Sequence, residues 1–416
     1  MPDSLQTRCC IAGGGPAGMM LGLLLARAGV EVLVLEKHAD FLRDFRGDTV
    51  HPSTLDVIDE LGLLDAFLAR PHEEARELRV AVGDSELAVA DFSRLHTRCR
   101  FIALMPQWEF LDFLRDEARH YPGFHLLLNA EAKTLIEQDG RVCGVRADSA
   151  EGPLEIRADL LIGADGRHSA IRAAAGLAVQ NLGAPIDVLW LRLPLAEGDP
   201  IASGGRIDNG HFLAMIRRDR YWQCAYVIPK GGIEAVQAAG LEAFRARIAK
   251  VAPLFAARVQ TLASWDDIKL LSVAVDRLQH WWKPGLLCIG DAAHAMSPIG
   301  GVGINLAIQD AVAAANLLAA PLADPRVTAT ALTPLLAQVE RRRLLPTRLI
   351  QAAQVMVQNR LLAPVVSSED GRPLHTPRLL KWLNRWPALR ALPAYAVGVG
   401  VRPEHVRSPS VRTMPH

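Results

Sequence analysis

The chain opens with a short, almost wholly apolar run, Arg8 to Ala12, the pattern of a buried parallel strand. Glycines follow, and then a helical stretch from Pro16 to Ala28, with Gly29 placed to cap its C-terminus. A second apolar strand, Val30 to Leu35, ends in Glu36. Two later segments repeat the motif of an apolar strand ending in an acid. Leu160 to Gly163 runs into Asp165-Gly166, with Ser169 and Arg172 on what reads as a new helix. Gly285 to Ile289 runs into Gly290-Asp291 and continues through Pro298, Gly300, Gly301, Gly303, Ile304 and Asn305 into a long helix, Leu306 to Leu318. Gln107 opens a helix over Trp108 to Arg119, and Ala132 stands in a strand after Leu126-Leu127-Leu128.

Between these segments the pattern changes. Residues 77–100 and 181–280 hold short alternating apolar runs broken by turn signals, as antiparallel strands do. Phe212 to Arg217 and Tyr221 to Ile228 read as a hairpin turning at Arg218-Asp219-Arg220, and Leu241 to Ala257 has helical periodicity. The expected fold class is therefore α/β. A Rossmann-like domain over 1–76, 101–180 and 281–345 is interleaved with a mixed, mostly antiparallel sheet domain over 77–100 and 181–280. Residues 346–416 form a C-terminal helical tail. In that tail Trp382, Leu383, Trp386 and Leu389 lie at helical spacing, and from residue 371 eight Lys/Arg face one acid, Glu404. Such a helix either caps the protein's own core or lies on a membrane surface or a partner.

Composition narrows the function. Net charge is +1 over 416 residues, so no global field draws the chain to nucleic acid. The six cysteines include no CxxC pair, so no metal site is expected, and free thiols suit a cytoplasmic protein. Cys9 and Cys10 point to opposite faces of their strand. The apolar stretch Gly18 to Val34 is interrupted by Arg27 and Glu31 and follows a glycine turn, so neither a targeting segment nor a spanning helix is expected there.

The chemistry begins at Gly13-x-Gly15-x-x-Gly18. Gly13 allows the tight turn, Gly15 lets the backbone approach a pyrophosphate, and Gly18 lets helix and strand pack closely. The helix N-terminus that Pro16 and Ala17 open presents free N–H groups to phosphate, Pro16 itself having none to give. Glu36, 18 residues after Gly18, and Lys37 beside it stand where ribose hydroxyls are bound. This unit alone does not separate NAD from FAD. At the far end, Asp291 at a strand's carboxyl edge can bond a polyol chain, and the helix opened by Gly301, Gly303, Ile304 and Asn305 can face developing negative charge. His294 reads as a structural histidine; Asp48 and His51 suit turn, capping or active-site roles equally.

With these motifs in this order, residues 7–345 resemble the class A flavin-dependent monooxygenases, the group of para-hydroxybenzoate hydroxylase and the ubiquinone-pathway hydroxylases. The resemblance implies FAD, held by the Gly13-Gly15-Gly18, Asp165-Gly166 and Gly290-Asp291 motifs. It implies that Arg46 approaches the pyrophosphate, that Gln107 lies on the same side, that the Ala132 backbone meets adenine, and that Pro298 lies beside the isoalloxazine ring. It also implies NADPH or NADH as a transiently bound co-substrate, a flavin C4a-hydroperoxide formed with dioxygen, and transfer of oxygen to an electron-rich carbon. No catalytic triad is expected. The expected substrate is a small aromatic or polycyclic, largely apolar molecule met by Trp222, Cys224 and Tyr226 on one face of their strand; core packing of these three is the competing reading. The protein is expected to be a monomer or homodimer. Rival readings are a flavin-dependent reductase of double bonds, as in the geranylgeranyl reductases, and a non-enzymatic flavin-binding protein. A halogenase is disfavoured because Trp222 to Pro229 keeps Ile-Pro without a paired tryptophan.

Overall fold

A computed structural model describes residues 3–42, 49–83, 85–200, 203–208, 210–366 and 385–411. Asp3–Ala12, Val32–Glu36, Phe124–Leu128, Gly152–Gly163 and Leu286–Cys288 make the parallel part of an eight-stranded sheet. Asp3–Ala12 lies at its centre, between Val32–Glu36 and Gly152–Gly163. The first half of Gly152–Gly163 pairs on its other side with Arg141–Ser149, and the last three residues pair with Leu286–Cys288. The glycine turn after Ala12 and the two acid-bearing turns after Gly163 and Cys288 thus emerge side by side at the carboxyl edge, where open α/β sheets bind ligands. Cys9 and Cys10 join different core clusters on the two faces of their strand, and burial pushes the Cys10 thiol up to about 12. All six cysteines are free.

The second sheet has seven strands, in the order Lys269–Leu271, Ile186–Pro194, Tyr221–Pro229, His211–Arg217, Gly204–Asp208, Glu77–Val82 and Ser85–Asp91. Only the Gly204–Asp208 and Glu77–Val82 pair is parallel. The hairpin read from sequence is present, its turn closed by the Arg218 N–H donating to Tyr221 O at 2.9 Å. The helix after it is shorter than the periodicity suggests. It spans Leu241–Val251 and gives way to a single turn, Pro253–Phe255, because Pro253 forces Ala252 out of the helical region (φ −130°, ψ 85°).

Two long helices close the core. Gly303–Ala323 is long and apolar enough to cross a membrane by composition alone, yet it packs against Pro16–Arg27 and Thr333–Val357, most of it buried. Thr333–Val357 carries Pro346 inside it, so the boundary expected at 345/346 falls within one continuous helix. A π-helical segment, Gln358–Leu362, continues it. Of the four tail residues at helical spacing, Trp382 and Leu383 lie outside the described residues. Trp386 is exposed and Leu389 sits in a short turn, Pro387–Arg390, that starts at a proline. Further on, the chain lies along the first domain: Arg342 bonds both Glu404 oxygens (2.7 and 2.9 Å), Glu60 accepts from Val406 N, and Val411 N donates to Arg27 O.

Candidate active site

One cavity of about 510 Å³ runs from the glycine motif to the inner face of the second sheet. At one end it is lined by Gly13, Gly15, Pro16, Ala17, Glu36, Lys37, Gln107 and Ala132. Asp165 and Asp291 line its middle, with Pro298, Gly301, Gly303 and Ile304 beyond. Residues separated by almost the whole first domain in sequence thus face one space. Arg46 and Asp48 lie outside the described residues.

The dinucleotide end is shaped for close backbone approach. Gly13 has φ +112°, and a Cβ there would stand 2.3 Å from Ala164 O; one on Gly18 would stand 2.0 Å from Gly13 O. Gly18 therefore serves the packing and does not line the cavity, whereas the space beside Gly15 is open. Glu36 is oriented by two backbone donors, Gly14 N at 3.0 Å and His38 N at 3.1 Å. An ionised carboxylate only accepts, which is the chemistry that ribose hydroxyls need.

The middle section carries two acids in different surroundings. Asp165 accepts from Ile171 N at 3.1 Å through Oδ2, while its buried Oδ1 has no partner. Burial pushes its carboxyl up, against the lowering effect of the Ser169 hydroxyl and nearby backbone N–H groups. Asp291 is half-buried and faces Arg167, Nη2 to Oδ2 3.7 Å. Ser169 and Arg172 do structural work behind them. Ser169 caps its helix through Arg172 N (2.9 Å), and Arg172 pairs with Asp276 at 3.2 Å. Asn305 does not line the cavity; its side-chain oxygen accepts from Ser53 (2.7 Å) and Thr54 (2.8 Å).

His294 is buried and bonded to Asp310 (Nε2 to Oδ2, 2.6 Å), away from the cavity lining, as a structural histidine would be. Asp310 also accepts from Gly290 N at 3.1 Å and Arg343 Nε at 2.9 Å. Burial would raise its carboxyl, but His294 and Arg343 outweigh burial and hold it below the usual carboxylate range. The Gly290-Asp291 turn is thereby fixed from behind. Among the described residues no cluster of His, Cys, Asp or Glu could hold a metal ion.

The substrate-facing assignment needs correction. Trp222, Cys224 and Tyr226 do not face the cavity. They pack with Phe244, Phe255 and Ile248 in a separate core on the far side of the sheet. Trp222 donates to Asp199 (2.7 Å), and the Tyr226 hydroxyl bonds His211 (2.8 Å). The alternate set faces the cavity: Ala225 and Val227 on this strand, Phe212, Ala214 and Ile216 on its neighbour, and Ile186, Val188 and Trp190 on the other side. The sequence showed two sets but not which one the helix Leu241–Val251 covers. Leu362, from the π-helical segment, also reaches the cavity, and no motif announced it.

The residues fit FAD. A cradle with no room for a Cβ at Gly13, an acid with both oxygens oriented at Glu36, a buried orphan acceptor at Asp165 and a carboxylate at Asp291 make a donor-and-acceptor track for a dinucleotide with a polyol chain. An apolar wall lies where the ring end would stop. The FAD binding domain family model matches residues 6–352. The 6-methylpretetramide 4-monooxygenase of Streptomyces rimosus is 35% identical over 318 residues, covering 76% of each chain. The 12-dehydrotetracycline 5-monooxygenase/anhydrotetracycline 6-monooxygenase of Streptomyces rimosus subsp. rimosus is 30% identical over 311 residues, 73% of this chain but only 60% of that longer protein. PqsL of Pseudomonas aeruginosa, described as a probable FAD-dependent monooxygenase, shares the fold with a TM-score of 0.72 at 23% identity, covering 87% of this chain and 98% of its own. Motifs, cavity and relatives agree: the chain belongs to the FAD binding domain family, among the class A FAD-dependent monooxygenases that act on aromatic compounds.

Proposed function

We propose that the enzyme takes reducing equivalents from NADH or NADPH and uses dioxygen to hydroxylate a flat, largely apolar aromatic or polycyclic compound. The observation that carries this reading is the continuity of the cavity from the glycine motif to an apolar sheet face. Bound FAD would supply the electrons and the site of dioxygen activation; the chain supplies binding, orientation and exclusion of water.

Each part follows from position. Glu36 and the first turn of Pro16–Arg27 would hold ribose and pyrophosphate by acceptor and oriented N–H groups. Asp165 and Asp291 accept hydroxyls along the middle section. The first turn of Gly303–Ala323 lines the cavity, and its dipole would favour negative charge on a flavin bound there. The sheet face supports the substrate class. One cross-strand row reads Trp190, Ala225, Ala214, Gly205, with the Phe212 ring beside Gly205. Adjacent strands lie ~4.8 Å apart, so this row spans about 14 Å with a low floor between two aromatic ends, a shape suited to fused rings. Six free cysteines suit a reducing compartment, and we place the enzyme in the cytoplasm.

The test is a screen of phenols, quinones and polycyclic aromatics against the purified yellow protein. Expected is stimulated NAD(P)H oxidation and a product carrying one atom of 18O-labelled dioxygen. Anaerobic reduction of the compound with no label in the product would replace this reading with that of a double-bond reductase.

A further inference from the structure

Ala293 to Val302 links the Gly290-Asp291 turn to helix Gly303–Ala323 and forms the cavity edge at Met296, Ser297, Pro298 and Ile299. Strand Asp276–Leu278 braces its start, Leu278 N and Asp276 N donating to Ala293 O (2.8 Å) and Ala295 O (3.3 Å), but among the described residues no strand bonds the backbone from Ser297 to Ile299, which is buried at Ser297, and buried peptide groups need partners. Glutamines supply them. Gln354 binds Ser297 at two points, accepting from its N–H (3.2 Å) and donating to its carbonyl (2.9 Å), and donates also to Ile299 O at 2.9 Å. Gln358 bonds the Ser297 hydroxyl at 2.7 Å. Gln351 serves the entry to the loop, donating to Asp276 O (2.7 Å) and Ala295 O (3.1 Å).

These three side chains stand at i, i+3 and i+7, on one face of the long C-terminal helix, and all are buried. A helix that needed only to pack would carry apolar residues there, because a buried amide costs stability unless it is bonded. The helix changes character where the ladder ends. At Gln358 the π-helical turn begins, and it brings Leu362 to the cavity wall. π-turns inside helices are frequent at functional sites. The loop and Leu362 are thus two parts of the cavity's reactive end tied to one helix through Gln354 and Gln358, neither of which lines the cavity.

We propose that Gln354 and Gln358 are positioning residues that set the Ser297–Ile299 backbone against the flavin ring. The proposal rests on FAD occupying this cavity, and the test separates the two ideas. Gln351→Met, Gln354→Met and Gln358→Met are purified and loaded with FAD beside the unaltered protein. Melting temperature, FAD affinity, the visible flavin spectrum and the two-electron midpoint potential are measured. All three variants lower the melting temperature. Gln354→Met and Gln358→Met in addition alter the flavin band and change the ratio of oxidised to reduced FAD affinity by about tenfold, ~30 mV in midpoint. Gln351→Met, which holds only the loop's entry, leaves spectrum and potential as they are. Loss of melting temperature with an unchanged spectrum and potential at both 354 and 358 overturns the proposal. Should Gln354→Met fail to fold, Gln358→Met alone decides, since it removes one contact to a side-chain hydroxyl. An unaltered protein that takes up no FAD would refute the cofactor assignment instead.

Discussion

His51 sits fully buried between two carbonyl oxygens, Nδ1 at 2.8 Å from Val397 O and Nε2 at 3.0 Å from Gly301 O. A neutral imidazole can donate to one of them; a charged one could satisfy both. Burial decides the contest and lowers the imidazole to about 4, against the raising effect of the two carbonyls. A group lowered in the folded state is protonated first in the unfolded chain. The stability it contributes is therefore complete above about 6.5 and is lost as pH falls towards about 4, where the folded imidazole titrates too. That difference corresponds to about 3 kcal/mol. Denaturant unfolding followed between pH 7.5 and 4.5 should show this loss, and His51→Gln should flatten that part of the profile. An unchanged slope in the variant would mean that His51 titrates alike in the folded and unfolded states. Sequence alone left His51 among turn, cap and active-site roles, because its two partners lie 250 and 346 residues away.

Strand Tyr221–Pro229 shows how far an element's pattern carries. Trp222 to Ile228 are buried on both faces, so alternation yields two candidate faces and no sign of which meets the ligand. The larger aromatics, Trp222 and Tyr226, fill the deeper space under Leu241–Val251, and the small Ala225 leaves room for a ligand on the other face. Opposite outcomes follow for neighbouring positions. Ala225→Leu should fill the cavity floor: FAD content stays near that of the unaltered protein while stimulation of NAD(P)H oxidation by the best polycyclic compound falls at least tenfold. Tyr226→Ala should lower stability by about 3–5 kcal/mol in denaturant unfolding, as large-to-small changes in packed cores do. Reversed outcomes, a substrate defect at 226 and a pure stability loss at 225, would return the original face assignment. The first βαβ unit was far more legible, because glycine spacing, helix start and terminal acid each answer to one physical demand and occur in order. Its helix, Pro16–Arg27, keeps nearly the expected limits, and its strand ends at Ala12 as expected but begins at Asp3, five residues before the apolar run.

At the scale of the whole molecule, Asp310 is where distant pieces of chain meet. It accepts from Gly290 N and is bonded by His294 and Arg343, and Arg343 approaches Glu404 at 3.8 Å. Glu404 is buried and gripped by Arg342, so the C-terminal segment is tied through two arginines to the turn that carries Asp291. Nothing in sequence spacing announces this: the groups come from four separate segments, and the charges balance only once the chain has folded. The arrangement makes the cofactor site depend on residues more than 100 positions beyond it. Asp310→Ala leaves Arg343 buried without its carboxylate and should cost about 3–5 kcal/mol, with weaker FAD retention because Gly290 N loses its acceptor. Glu404→Ala should cost less, since Arg342 is partly exposed and can turn to water while Arg343 keeps Asp310. If the two acids act through Arg343 as one network, the double variant will cost measurably less than the sum of the single ones. Denaturant unfolding of the four proteins measures that coupling, and FAD dissociation constants measured on the same set show whether it reaches the cofactor. Strict additivity in both would make the C-terminal segment a passive strap, and the turn at Gly290 would then be held by the first domain alone.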